Sequence, residues 1–504
     1  MQAVTVSKGS LKGADVDLNL VLKGKEVFSR AKHEAAERVL SQSLKVLANS
    51  SDKNYQRLAQ AFGKLADSKQ QQMVADWMHD YLAPGSPGVE YFNRLLGSVN
   101  PNVRKNYIAK TIVSLFFRDP RVSTRLMAEA GISSPNLIVI SPSMRCNISC
   151  VGCYAGNYTK ADDLDPEIVD RVITEAKELG IRFFVITGGE PFFYKPLLGL
   201  IEKHSDVSFQ VYTNGTLIDE EMADRIVELG NVAPAISIEG FQKETDERRG
   251  PGTFDKVMRA MDNLRERGAV FAFSTTASRK NIDTITSDEF AQMLIDKGCA
   301  YGWYFSYIPI GKSPDLAYMP SPKERNKLRE GVNRIRKEMP ILVADFWNDG
   351  TLTGGCLAAG RKYLHINNRG DVEPCVFCHF ATDNIKEVTL LEALRSPFFQ
   401  SIRKKQPFGH NLLRPCPIID HPAVLREAVE KHGAYATHEG AESVIGELRE
   451  GLDDYASSLE AVTDKVWKQD YKWADDWLDK EQKEAADRAE KLCNPGRTTE
   501  RTPA

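Results

Sequence analysis

Cys146, Cys150 and Cys153 fall within eight residues of one another, in Ser143-Met144-Arg145-Cys146-Asn147-Ile148-Ser149-Cys150-Val151-Gly152-Cys153-Tyr154, and no other feature limits the chain as much. Thiolates on one short loop can hold three corners of a metal cluster. With no fourth ligand nearby, an iron–sulfur cube bound this way keeps one iron open to activate something else. The plainer alternative is structural zinc, although zinc knuckles usually pair one CxxC with a second, or with two histidines, and close all four positions.

The remaining cysteines point the same way. Of nine in 504 residues, four more form a second set, Cys356, Cys375, Cys378 and Cys416, while Cys299 and Cys493 stand apart. Clustered cysteines in a chain this long indicate metal rather than a disulfide scaffold. Cys299 reads as a small buried hydrophobe and Cys493 as an exposed thiol. A formal charge of −3 gives no basic excess for nucleic acid. No signal pattern opens the chain and no apolar run reaches the ~18 residues of a membrane helix, so a soluble, cytoplasmic protein is expected.

The length calls for two or three domains. Residues 15 to 130 read as helices: Met73 to Leu82 and Val89 to Leu96 flank the breaker Pro84-Gly85-Ser86-Pro87-Gly88, and Val103 to Phe117 repeats Ile108, Ile112, Leu115 and Phe116 at helical steps. From Pro135 strands and helices alternate. Strands are expected at Asn136 to Ser141, Arg182 to Thr187, Val207 to Thr213, Ala233 to Ile238, Phe271 to Thr276 and Tyr301 to Pro309, with Ile341 to Phe346 leading out. Six βα repeats with buried strands make an α/β fold, a partial (βα)6 parallel barrel with right-handed crossovers. Functional groups should gather at the C-terminal ends of its strands. The expected boundaries are 1–134 for an N-terminal helical domain, 135–345 for the barrel, 346–422 for a cysteine-rich extension and 423–504 for acidic helices carrying Trp467, Tyr471, Trp473 and Trp477. In the extension, a turn at Asn368 to Asp371 should fold Cys375 and Cys378 back beside Cys356.

After the cysteine loop come Gly188-Gly189-Glu190-Pro191, Thr213-Asn214-Gly215 and Ser237-Ile238-Glu239-Gly240, each closing a strand. This series, over about 146 to 312, resembles the radical S-adenosylmethionine (radical SAM) superfamily. One departure is Gly152, where that family often has an aromatic before the third cysteine; here Tyr154 comes just after it. The second cysteine set resembles the auxiliary-cluster extensions called SPASM and Twitch domains, and its four cysteines suit the shorter, one-cluster form, with structural zinc as the alternative.

The resemblance implies a [4Fe–4S] cluster on Cys146, Cys150 and Cys153, an auxiliary [4Fe–4S] cluster on Cys356, Cys375, Cys378 and Cys416, and S-adenosyl-L-methionine bound at the open iron. It also implies that Gly188, Gly189 and Glu190 meet the amino group of that ligand, and that Ile308, Pro309 and Gly311 lie on its adenine side. Ser237 and Glu239, alternate residues near a strand end, share a face and suit the ribose hydroxyls. Thr213 and Asn214 are further contacts, and Arg249 or Arg248 a partner for the carboxylate. Reductive cleavage would yield a 5′-deoxyadenosyl radical that abstracts hydrogen from the substrate, with the electron supplied by a donor such as flavodoxin or ferredoxin. A small-molecule or lipid-like substrate is expected, because the N-terminal region lacks the pattern of a peptide-recognition module. A peptide-modifying maturase and a non-catalytic zinc or iron–sulfur scaffold are the alternatives. No catalytic base can be assigned: His365, His379 and His421 read as surface or structural residues.

Overall fold

The computed structural model describes residues 79–116 and 134–471, with single positions at 60, 72, 76, 122, 126, 127, 131, 132 and 474. Half of the helix expected at Met73 to Leu82, together with Trp473, Trp477 and Cys493, lies outside the described residues. The chain forms two units, 1–98 and 99–504. In the first, α1 (Pro87–Ser98) starts at the proline of the expected breaker and buries Tyr91, Leu95 and Leu96.

The second unit takes in more of the N-terminal region than the boundary at 134 allowed. Helix Pro101–Val103 runs through a π-helical turn, Arg104–Ala109, into helix Lys110–Phe116. Hydrogen bonds attach this stretch to the barrel. Asn102 Nδ2 donates to the carbonyls of Val227 (2.9 Å) and Glu228 (2.8 Å), and the Tyr107 and Tyr301 hydroxyls meet at 2.9 Å. Tyr301 in turn donates to Gln210 Oε1 at 2.9 Å, which puts three polar side chains across the N-terminal end of the barrel.

Seven strands run parallel in chain order: β1 (Ile138–Ser143), β2 (Phe183–Gly188), β3 (Ser208–Thr213), β4 (Val232–Ser237), β5 (Ala272–Ala277), β6 (Tyr301–Ser306) and β7 (Leu342–Asp345). The partial barrel is as expected with one correction. The segment expected to lead out is β7, a seventh strand that pairs with β6 from Tyr301↔Leu342 to Tyr304↔Asp345. Without it the outer backbone groups of β6 would lose their partners.

Helices cover the outer face, and their ends carry the expected signals. Asp165 caps α2 (Pro166–Glu178), Asp219 caps α3 (Glu220–Leu229) ahead of a left-handed Gly230, and Ser321 with Glu324 forms a capping box on α4 (Pro322–Glu338). Ile138, Ile140, Phe184, Ile186, Phe209, Val211 and Phe273 are buried in the main core. The alternate residues face inward, where Val139, Phe183, Val185, Tyr212, Trp303 and Phe305 line a cavity.

The cysteine-rich extension continues the same sheet past β1. β8 (His365–Ile366) pairs parallel with β1, β9 (Asp371–Glu373) folds back antiparallel on β8, and β11 (Asp383–Asn384) pairs with β9. The hairpin expected at Asn368 to Asp371 is β8–β9. Residues 423–504 were read as helical throughout, but β12 (Tyr435–Ala436) pairs with β10 (Phe380–Ala381) between helices Pro422–His432 and Arg449–Asp470. Trp467 and Tyr471 stack at 5.5 Å and pack with Leu412 and Leu413. Among the described residues no helix is long and apolar enough to cross a membrane.

Candidate active site

The cysteine loop leaves the C-terminal end of β1 and is pinned by backbone bonds. Gly189 N–H donates to Ser143 O (3.0 Å), Glu190 N–H to Arg145 O (2.7 Å), Val151 N–H to Arg248 O (2.8 Å) and Lys312 N–H to Cys153 O (3.0 Å). A Cβ on Gly189 would lie 2.3 Å from Arg145 O, so this glycine lets the Gly-Gly turn lie against the cysteine loop. Gly152 has φ +60°, and a Cβ there would lie 2.5 Å from the Tyr307 ring. The Tyr307 ring fills the space beside Gly152, and Tyr154 turns inward to hydrogen-bond Thr187 Oγ1 at 2.8 Å.

Cys146, Cys150 and Cys153 line one cavity of about 510 Å³ together with Gly188, Gly189, Thr213, Asn214, Ser237 and Arg249. Asn214 Nδ2 lies 3.7 Å from Cys146 Sγ and Arg249 Nη1 3.8 Å from Cys150 Sγ, so both sulfurs face a donor. The two predicted carboxylates, Glu190 and Glu239, are buried behind the residues that line the cavity. Glu190 accepts from Thr213 Oγ1 (2.7 Å), Asn214 N–H (2.7 Å) and Phe192 N–H (3.2 Å). It therefore fastens the Gly-Gly-Glu-Pro turn to the Thr-Asn-Gly turn. Glu239 accepts from Arg248 (2.6 Å), from Arg249 (2.8 and 2.5 Å) and from Thr276 N–H (2.9 Å). Spacing could place these carboxylates at strand ends, but only the fold brings their partners to them.

Burial acts on both carboxylates with different outcomes. It pushes Glu190 up to about 7 against the hydrogen bonds from Asn214, Thr213 and Phe192. For Glu239 the adjacent charges of Arg248 and Arg249 outweigh burial and hold it below the ordinary value. A raised carboxyl favours the folded protein while protonated and loses that contribution as pH rises. Compared with Glu190→Gln, the metal-free wild-type protein should therefore lose stability between pH 4.5 and about 7, measured by denaturant unfolding in parallel at each pH. A constant difference across that range would contradict the raised value.

The four auxiliary cysteines lie within electrostatic reach of one another. Ala359 N–H bonds Pro374 O (2.8 Å), Cys378 N–H bonds Cys375 O (2.9 Å), and Val376 and Phe377, between those two cysteines, line the far side of the same cavity. Burial pushes the Cys356, Cys375 and Cys416 thiols up to about 12 and raises Cys378, and it also raises Cys146 and Cys153. Thiols so buried ionise only beside positive charge, which bound iron supplies. Backbone N–H groups two residues on are aimed at the sulfurs: Ala358 at Cys356 (3.4 Å), Phe377 at Cys375 (3.5 Å), Ile418 at Cys416 (3.4 Å), Phe380 at Cys378, Ile148 at Cys146 and Ala155 at Cys153. Such donors stabilise cluster-bound thiolates, so the residues fit the group. Among the described residues no three His, Cys, Asp or Glu are gathered tightly enough for a single metal ion. A cluster, which spreads its ligands over several irons, does not require that.

A buried polar network that spacing did not reveal joins β1 to the extension. His365 Nε2 meets Ser141 Oγ (2.7 Å), its Nδ1 meets Glu373 Oε2 (2.5 Å), and Tyr158 donates to Glu373 Oε1 (2.7 Å). Beside it His379 and His438 share a hydrogen bond of 2.6 Å. His421 bonds Arg414 O at 2.9 Å, so His365, His379 and His421 are all hydrogen-bonded within the protein. Cys299 is fully buried.

The chain carries a radical SAM domain followed by an iron–sulfur cluster-binding domain. Residues 140–286 match the model of the radical SAM superfamily, and residues 356–417 match the iron–sulfur cluster-binding SPASM domain. Those domains imply [4Fe–4S] clusters and S-adenosylmethionine as cofactors. The chain is similar to the AdoMet-dependent heme synthase of Oleidesulfovibrio alaskensis (26% identical, covering 56% of this chain and 80% of that one). It is also similar to the mycofactocin maturase MftC of Mycolicibacterium smegmatis (27%, 56% and 76%). Among solved structures, Streptococcus suis SuiB bound to S-adenosylmethionine superimposes with a TM-score of 0.50 at 19% identity, covering 62% of this chain and 82% of that one, which shows a shared fold.

Proposed function

We propose that this enzyme abstracts hydrogen from a C–H bond of an apolar, non-peptide substrate held inside the barrel, between a cluster on Cys146, Cys150 and Cys153 and an auxiliary cluster on Cys356, Cys375, Cys378 and Cys416. The observation that carries the reading is the cavity wall: Val139, Phe183, Val185, Tyr212, Trp303, Phe305, Phe346 and Phe377 make the space between the cysteine sets largely hydrocarbon and aromatic. Such a wall holds an apolar molecule and excludes the water that would quench a radical.

When bound, the first cluster and S-adenosylmethionine supply the 5′-deoxyadenosyl radical. The chain's own residues hold and orient. Gly188, Gly189, Thr213, Asn214 and Ser237 line the cavity and would border S-adenosylmethionine, and Arg249, its guanidinium fixed by Glu239, would face it. Glu190 keeps the two turns in register. A low-potential donor such as flavodoxin or ferredoxin supplies the electron.

The test is transfer of label. Incubated anaerobically with reductant and deuterated cell fractions, the enzyme should collect deuterium in 5′-deoxyadenosine from the lipid or small-metabolite fraction. Deuterium arriving only from peptide would replace this reading with peptide maturation.

A further inference from the structure

Each auxiliary sulfur receives the N–H of the residue two positions on, and Cys375 receives something more. Among the described residues it alone of the four is also met by a side-chain hydroxyl, that of Tyr363, at 2.8 Å from Sγ. A ligated thiolate has no proton, so the hydroxyl must be the donor. Tyr363 is 4% exposed, and the same side chain forms part of the cavity wall, with its ring edge-on to Phe346 at 6.3 Å. One residue therefore touches both the substrate space and a ligand of the auxiliary cluster.

We propose that Tyr363 is a positioning residue that sets the reduction potential of the auxiliary cluster from the substrate side. A hydrogen bond to a cluster sulfur withdraws charge from the iron and favours the reduced state. Tyr363 and Cys375 are both buried, and in the low dielectric of an interior such a hydrogen bond is stronger than in water. The inference rests on Cys375 being a cluster ligand, and it holds whether the substrate is lipid, small metabolite or peptide.

The experiment uses the full-length protein with both clusters assembled, without substrate, and follows each cluster by redox titration monitored by electron paramagnetic resonance. In Tyr363→Phe the ring stays and the hydroxyl goes. The auxiliary midpoint should move to more negative potential while that of the cluster on Cys146, Cys150 and Cys153 stays put. Placing 3-fluorotyrosine at position 363, a more acidic and stronger donor, should move the auxiliary midpoint the opposite way. An unmoved midpoint in a Tyr363→Phe protein of full iron content overturns the proposal. If that variant loses auxiliary iron, the fluorotyrosine protein decides alone, and an unchanged midpoint there overturns it. Neither result depends on the label-transfer outcome, and iron analysis of Cys375→Ala tests the ligand assignment separately.

Discussion

Cys150→Ala is expected to lower reductive cleavage of S-adenosylmethionine to the level of an enzyme-free control while about four irons stay on the auxiliary set. Cys150 sits between Cys146 and Cys153 on one loop, faces the Arg249 guanidinium and lines the cavity beside Gly188 and Gly189. Removing one of three ligands leaves a second iron without protein support, and no other cysteine on that loop can replace it. The auxiliary cysteines draw their donors from Ala358, Phe377, Phe380 and Ile418, none of which belongs to that loop. Cys146→Ala and Cys153→Ala should behave alike. The measurement is 5′-deoxyadenosine formed under anaerobic conditions with a strong reductant, alongside iron content. Undiminished product from any of the three variants would refute the assignment of that loop.

The second large effect is expected at Arg325, a fully buried guanidinium on α4. It pairs with both Asp420 oxygens and donates to Asn348 Oδ1 (3.2 Å), Trp347 O (3.2 Å) and Leu413 O (3.1 Å). Asp420 Oδ2 also accepts from Cys416 N–H at 2.9 Å, so the ion pair positions a predicted ligand. Arg325→Met would strand the Asp420 carboxylate in the core, a change that costs about 3–5 kcal/mol. The denaturant midpoint should fall and auxiliary iron should drop. Adding Asp420→Leu removes the stranded charge, so stability should recover in part, but Cys416 N–H then has no acceptor and iron retention should stay low. An Arg325→Met protein with wild-type midpoint and iron content would show that the pair does neither job.

What the sequence disclosed follows from how local each signal is. The cysteine loop and the three strand-end motifs are legible because residue type and spacing within a dozen positions carry them. β7 was placed correctly in the chain but not in the sheet, since pairing with β6 is a long-range event that Ile341 to Phe346 cannot announce. Glu190 and Glu239 were recognised as functional, yet their partners Thr213, Asn214, Arg248 and Arg249 become visible only once the strand ends are side by side. Trp303 and Phe305 carried no signal because Tyr301 to Phe305 is apolar or glycine throughout, leaving no alternation to mark the inward face. Tyr363 and Tyr107 are single tyrosines whose roles depend on what the fold sets opposite them.

The register Val139↔His365 and Ile140↔Ile366 makes the cysteine-rich extension the outer neighbour of the first barrel strand. The extension is therefore no detachable module, and a chain stopped after residue 345 would present the free edge of Ile138–Ser143, an apolar strand that invites pairing with another copy. Recombination that exchanged extensions between relatives would have to preserve this seam as well as the cysteines. Diversification of the substrate is accordingly easier through the inward-facing side chains of the barrel than through replacement of the piece that pairs with its first strand.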